Sequence, residues 1–464
     1  MQKQPATILY SSVCGILFKF MVKSKPALAN HPSVAGFTAI ILGCCLASFF
    51  AASGQEAVPG RPLPAWQPGY LDIHHINTGR GNAAFFVFPD GTNLLVDAGE
   101  LDPTEPRTTS ARNAVIRPNG SKQPFEWIAG YIRQFAPAKE KTGIDFALIT
   151  HFHDDHFGAW YPQAPASADG SFKRSGITGV GDLVPIHLLL TRNPDYPVAM
   201  QTRLQRLPAG STYAKSWTNY NAFVQAATAR GMRSEYFKAG SASQIRLVHA
   251  PASYSNFQVR NLKSDDMVWT GKDSSAAHRF APANAADPKT WPDENSLSNA
   301  LLISYGPFRY YTGGDNPGNI FFGDSSWRDT ESLMAPVTGR VDVATMDHHG
   351  NRDAVNETFI QTLQPRVWIE QVWTADHPGH EVLIRIMSKL VAGPRDLFAT
   401  NMLEANRLVI GPLIDQAYKS QQGHILVRVL PGGSSYHVII LDDADAVCKV
   451  KAVFGPYTVV AKSN

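Results

Sequence analysis

The sequence predicts an α+β chain folded as a four-layer αββα sandwich, with an elaborated insertion between its two halves. Three observations lead there. Short β-type runs parted by glycine-containing turns occur in two blocks, segments of helical period accompany each block, and a long irregular stretch separates the blocks. With 464 residues, 44% hydrophobic and 17% charged, the chain has enough apolar material for a sizeable core.

In chain order, residues 1–55 are set apart. Lys19, Lys23 and Lys25 precede an uncharged apolar run from Val34 to Ala52 that ends in small residues, the layout of a secretory signal. The run is also long enough to span a bilayer, so an uncleaved N-terminal anchor is the alternative, and Met21 is a possible start. Three of the four cysteines, Cys14, Cys44 and Cys45, fall in this region. Cleavage would leave Cys448 alone, excluding an intrachain disulfide or a cysteine metal cluster in the mature chain. The expected location is therefore outside the cytoplasm.

Residues 56–70 read as a Pro- and Gly-rich linker, and residues 71–445 as the folded domain. Strands are expected at Leu71–His75, Ala83–Val87 and Asn93–Val96, a helix over Phe125–Phe135, and a buried strand over Phe146–Ile149. Residues 158–293 are taken as the insertion, with a strand-like Leu183–Leu190 and a helix-like Ser216–Met232. The second block has strands at Leu297–Tyr305, Arg309–Thr312, Val341–Thr345 and Arg366–Val372, and helices at Asn356–Leu363 and Glu381–Leu390. A hairpin, His424–Leu430 with Tyr436–Leu441 around Pro431, Gly432 and Gly433, is expected to close the domain, leaving 446–464 as a tail.

The formal net charge is +3, and several lysines lie ahead of the apolar run, so the folded part is nearly neutral. That composition disfavours long nucleic acid or a membrane surface held by bulk charge.

The chemistry concentrates in Ile149-Thr150-His151-Phe152-His153-Asp154-Asp155-His156-Phe157-Gly158, directly after the buried strand. Imidazole and carboxylate are costly to bury unless paired or bound to metal. In an extended start, His151 and His153 point the same way and can grip one ion; once the chain turns helical, Asp155 and His156 aim at a second. Nitrogen and oxygen donors without cysteine suit Zn²⁺, Mn²⁺ or Fe.

This HxHxDH segment resembles the signature of the metallo-β-lactamase superfamily. Other pieces follow in the family's order. Asp97, in Leu95-Val96-Asp97-Ala98-Gly99, resembles the aspartate that orients the metal loop. Asp315, in Thr312-Gly313-Gly314-Asp315, resembles the aspartate that bridges both metals, and Asp347-His348-His349-Gly350 resembles the late histidine motif. Thr78-Gly79-Arg80-Gly81-Asn82, Asn295-Ser296 and His377-Pro378 make the chain similar to the branch holding the ComEC soluble domain and phosphorylcholine esterases, over Leu71 to Leu390. Asn82 stands where that branch has an acidic residue, and Asn351 follows the HHG motif in place of serine.

The resemblance implies a dinuclear-metal hydrolase acting on a phosphoester, with metal ligands His151, His153, Asp155, His156, Asp315 and His349, and the N-terminal segment implies its export. His348 would be a substrate contact or proton donor, and His377 a further group at the phosphate or leaving group; Asp155 is placed in the catalytic set as well. The sequence does not separate the roles of His348 and His349. Two divalent ions are implied, zinc first, with manganese or iron as alternatives. A small molecule or phosphodiester is the expected partner, nucleic acid is not favoured by charge, and no stable protein partner is implied. The alternative activity is hydrolysis of a carbon-centred bond in a lactam, lactone or thioester, and the remote one is a non-catalytic binding protein on the same fold.

No histidine between the metal loop and Asp315 is clearly marked as the third ligand of the first ion; His187 and His249 are the candidates, and their strand-like apolar context favours a core histidine for each. His74, His75, Trp368 and Trp373 read as packing, and Tyr305, Tyr310 and Tyr311 as alternating between core and surface.

Overall fold

The computed structural model describes residues 56–137, 143–318 and 325–459, so the expected signal segment lies outside the described residues. Strands β1 (Leu71–His75), β2 (Ala83–Val87), β3 (Asn93–Ala98), β4 (Ile144–Leu148), β5 (Ile186–Thr191) and β6 (Arg233–Tyr236) build the first sheet from the early part of the chain. Strands β7 (Phe257–Ser264), β8 (Met267–Trp269), β9 (Ala276–His278), β10 (Ala300–Tyr305), β11 (Phe308–Thr312), β12 (Val343–Thr345), β13 (Val367–Glu370), β14 (Asp396–Ala399) and β15 (Tyr418–Ser420) build the second. The chain then returns to the first sheet with β16 (His424–Val429), β17 (Ser435–Leu441) and β18 (Val450–Thr458). The orders are β18-β17-β16-β1-β2-β3-β4-β5-β6 and β15-β14-β13-β12-β11-β10-β7-β8-β9.

Three apolar layers define the architecture. Alternate residues of both sheets, among them Ile73, Phe86, Leu94, Leu148, Ile303, Tyr310, Val343 and Val367, meet in one central core. The opposite face of the first sheet packs on helices Pro124–Phe135, Gly176–Leu183 and Thr212–Ala229. The opposite face of the second packs on Thr330–Thr338, Glu357–Leu363, His380–Ile386 and Pro412–Ala417. This is the four-layer αββα sandwich that the sequence predicts.

Several expectations are corrected. Residues 158–293 do not stand apart from the sandwich: they supply β5 and β6 to one sheet and β7, β8 and β9 to the other. Leu183–Leu190 is not one strand, because Leu183 ends a helix and the strand begins at Ile186. The second-half helix expected over Glu381–Leu390 stops at Ile386, and Leu390 is 91% exposed. Val450–Thr458, expected in a tail, pairs with β17 along its length. Residues 56–70 are docked: Gly60 N donates to the Val450 carbonyl, and Leu63 and Trp66 pack against the outer core. Tyr305, Tyr310 and Tyr311 are all buried, because both faces of their sheet are covered.

Parallel pairing brings functional loops to one edge of each sheet. β3, β4 and β5 are parallel neighbours in the first sheet, and β11, β12 and β13 in the second. The carboxyl ends of such strands are where open α/β sheets place their ligands.

Candidate metal centre

Four of these strand ends carry the donors or their direct supports. β3 carries Asp97 next to its last residue, Ala98; β4 leads into Thr150–Phe157; β11 leads into Gly313–Asp315; β12 leads into Asp347–Gly350. Side-chain donors of Asp155, His156, Asp315 and His349 lie within 4.8 Å of one another, as do those of His151, His153 and Asp315. Asp315 belongs to both groups. One carboxylate oxygen, Oδ1, sits 3.1 Å from His156 Nε2 and 3.6 Å from His349 Nε2; the other, Oδ2, sits 3.6 Å from His151 Nε2 and 3.8 Å from His348 Nε2. The structure thus brings together all six residues expected as ligands, and places His348 beside them.

Each imidazole is held by its other nitrogen or by a neighbour. His156 Nδ1 pairs with Asp97 Oδ2 at 2.8 Å, while Asp97 also accepts the Thr150 N–H at 2.7 Å and the Thr150 hydroxyl at 2.8 Å. Asp97 therefore holds the Thr150–Phe157 loop from behind. His349 Nδ1 donates to the Gln371 carbonyl at 2.9 Å, and His348 Nδ1 pairs with Asp353 at 2.7 Å. Such partners fix tautomer and ring orientation, so that Nε2 of His156 and of His349 presents its lone pair inward.

Backbone geometry is strained here. Asp97 (φ 59°), His348 (φ 45°) and His349 (φ 54°) occupy the left-handed region, which costs side chains that carry a Cβ of order 1–3 kcal/mol each and is found where surrounding structure imposes it. The glycine turn gives the metal loop its seat. Gly81 lies against the Asp155 carbonyl where a Cβ would collide, and Asn82 N donates to that same carbonyl at 2.8 Å. Its role is therefore contact with the loop's backbone.

The residues fit a pair of cations. His156 Nε2 and Asp315 Oδ1 are buried, face each other at 3.1 Å and have no other hydrogen-bond partner. His151 Nε2 and His153 Nδ1 face each other at 3.1 Å, which two lone pairs tolerate only with a proton or a cation between or beside them. Burial disfavours charge on His156, yet Asp315, Asp155 and Asp97 outweigh it and raise its pKa well above the usual imidazole value. Burial and the neighbouring His156 hold His151 well below it. The carboxylates around His156 favour positive charge at this point, which a divalent ion would supply while taking several donors at once.

The centre opens onto a cleft of about 670 Å³ lined by His153, Asp154, Asp155, Trp373 and the segment Leu101–Asn113. That segment is strapped down by Arg80 Nη1 on the Thr108 carbonyl at 2.7 Å and by Ala114 N on the Trp373 carbonyl at 2.8 Å. His377 is buried and stacked on His349, ring centroids 4.6 Å apart and planes 8° from parallel.

With the site in view, comparisons with known proteins add little. No family model and no curated protein matches the chain. Among solved structures, it is similar to a protein of Parabacteroides distasonis described as a metal-dependent hydrolase, at 11% identity and TM-score 0.28, covering 76% of this chain and 92% of that one. It is also similar to CmlA, a diiron beta-hydroxylase from Streptomyces venezuelae, at 12% identity and TM-score 0.35, covering 83% of this chain and 59% of CmlA. Likeness of this degree fixes no chemistry, and the fold rests on the three apolar layers described above.

His187 and His249, expected as core histidines, are both exposed, and His249 pairs with Asp145 at 3.3 Å. Neither joins the centre. His74 and His75 are buried and hydrogen-bonded to Tyr131 and Gln371, as structural residues would be. Trp368 is buried packing; Trp373 is not, for it lines the cleft and donates to His349 Nε2. Also missed was Glu294, which holds the Phe152 N–H at 2.9 Å and the buried Arg192 guanidinium at 2.6 and 2.7 Å, bracing the metal loop from the second sheet's side. A lone Glu and a lone Arg 102 residues apart leave no local signal.

Proposed function

We propose that this chain is an exported dinuclear-metal hydrolase of phosphoesters, most suited to a small phosphodiester. The observation that carries the reading is the pair of donor groups sharing Asp315, with the second histidine of the HHG motif in one group and the first at its margin. Two ions held there would supply a water of lowered pKa and a clamp for charged phosphoryl oxygens.

The chain's own residues do the rest. Asp97 and the Gln371 carbonyl orient His156 and His349. His348 is held by its bond to Asp353 at 2.7 Å with Nε2 3.8 Å from Asp315, where it can give or take a proton beside the reacting oxygens. His377, buried, stacks on His349 and supports its ring. The cleft lining mixes Arg107 and Arg112 with Asp102, Glu105 and Asp376, a surface that supports a small substrate over a long polyanion. Export rests on the lysines and the apolar run of residues 34–52.

The test is elemental analysis of the purified protein together with hydrolysis of a chromogenic phosphodiester and a chromogenic cephalosporin, with Zn²⁺ or Mn²⁺ added. Two ions per chain and phosphodiester turnover, both lost in Asp155→Ala and Asp315→Ala, are expected. Metal-dependent lactam turnover without phosphodiesterase activity would overturn the reading in favour of a carbon-centred substrate.

A further inference from the structure

Trp373 follows β13 and is half-buried at the cleft. Its backbone carbonyl takes the Ala114 N–H, and its ring stands edge-on to His349 (centroids 5.9 Å apart, planes at 87°) and to His377 (5.3 Å, 89°), two contacts that orient the indole. Its indole N–H donates to His349 Nε2 at 3.3 Å.

That hydrogen bond cannot coexist with metal on the same nitrogen. A neutral imidazole has one acceptor nitrogen, and His349 Nδ1 is committed as donor to the Gln371 carbonyl. If His349 Nε2 gives its lone pair to an ion, the Trp373 N–H loses the acceptor it has in this structure. Indole N–H is a donor only, and an unsatisfied donor in a partly dry site costs about 1–3 kcal/mol. With the ring edge-on against His349 and His377, the N–H lies at the mouth of the centre, within reach of whatever lies against Asp155 and His349.

We propose that the Trp373 indole N–H is a catalytic donor: in the loaded protein it hydrogen-bonds an anionic oxygen of the substrate's reacting group and stabilises its charge as it grows. This rests on the phosphoester reading above. A fixed neutral donor of this kind adds no competing charge and needs no reorganisation during reaction.

The test uses the full chain loaded with Zn²⁺ and Trp373→Phe, which keeps a smaller aromatic ring and removes the donor. Metal content, inorganic phosphate binding by calorimetry, and kcat and KM on the chromogenic phosphodiester are compared with the wild type. The variant should keep two ions per chain and its melting temperature, bind phosphate roughly tenfold more weakly, and lose about 100-fold in kcat with little change in KM. Unchanged kcat and phosphate affinity would overturn the inference while leaving the hydrolase reading intact. Loss of a metal ion in the variant would also overturn it, since Trp373 would then be supporting His349. If the wild type binds two ions but cleaves no phosphoester, the reading fails and the phosphate-binding comparison alone decides the role of Trp373. A wild type that neither binds phosphate nor cleaves phosphoesters would sink both.

Discussion

Single residues around the centre are chosen for what they hold in place. Glu100, one residue past Gly99, is buried and accepts the Tyr161 hydroxyl at 2.7 Å and the N–H groups of Phe125 and Gly176 at 3.1 Å, tying the metal loop's neighbourhood to two helices. Burial raises its pKa from the usual 4.5 to about 7 despite those bonds. The folded protein therefore holds a proton that the unfolded chain releases earlier. The stability this group contributes is fully present below about pH 4.5 and is lost as pH rises through about 7. Glu100→Gln can keep an acceptor for the two backbone donors and removes the titration. Thermal unfolding followed by circular dichroism should show a melting temperature above wild type at about pH 8 and a flatter profile between about pH 5 and 8. Parallel profiles for the two proteins would show that Glu100 is not the titrating group.

At the scale of elements, the strand-to-loop junctions do the positioning, and they do it through backbone contact. The turn after β1 reaches the loop after β4 at Gly81, whose φ of 131° and contact with the Asp155 carbonyl leave no room for a side chain. Gly81→Ala should push Asp155 and His156 away from Asp315 and weaken metal binding at least about tenfold, the usual effect of disturbing ligand supports. Calorimetric zinc titration measures it, with Gly120→Ala, where a Cβ meets nothing within 4 Å, as the comparison. Equal affinity in both variants would mean that the turn does not seat the loop. The glycines themselves were legible in the sequence. Their partner was not, because the turn and the metal loop are joined only through the sheet.

For the whole molecule, the return of the chain to the first sheet matters most. β16 pairs with β1 in register, Asp72 opposite Arg428, and the two side chains form a buried bidentate pair at 2.9 and 2.7 Å. Arg428→Met would leave the Asp72 carboxylate buried without its main counter-charge, a loss of about 3–5 kcal/mol. Denaturant unfolding should show it, and Asp72→Asn in the same chain should recover part of it. A loss under about 1 kcal/mol would mean that the pair contributes no more than an exposed one. Through this closure β1 becomes an interior strand, which keeps His74 and His75 dry and structural.

What the sequence determined by itself is what local chemistry determines. The HxHxDH segment, the strand runs and most helices could be read because ligand spacing and hydrophobic period act over a few residues. Asp97, Asp315 and His349 were legible through motif order. Tertiary structure decided the rest. Asp155 and His349 stand 194 residues apart and meet at 3.1 Å only because two parallel blocks of strands end at the same edge. The same convergence made Trp373 a cleft residue, left His187 and His249 outside, turned an expected insertion and tail into sheet strands, and set Glu294 and Arg192 behind the metal loop. Each of these depends on which faces the sandwich covers and which strand ends it aligns, and pairing between distant segments leaves no periodic trace along the chain.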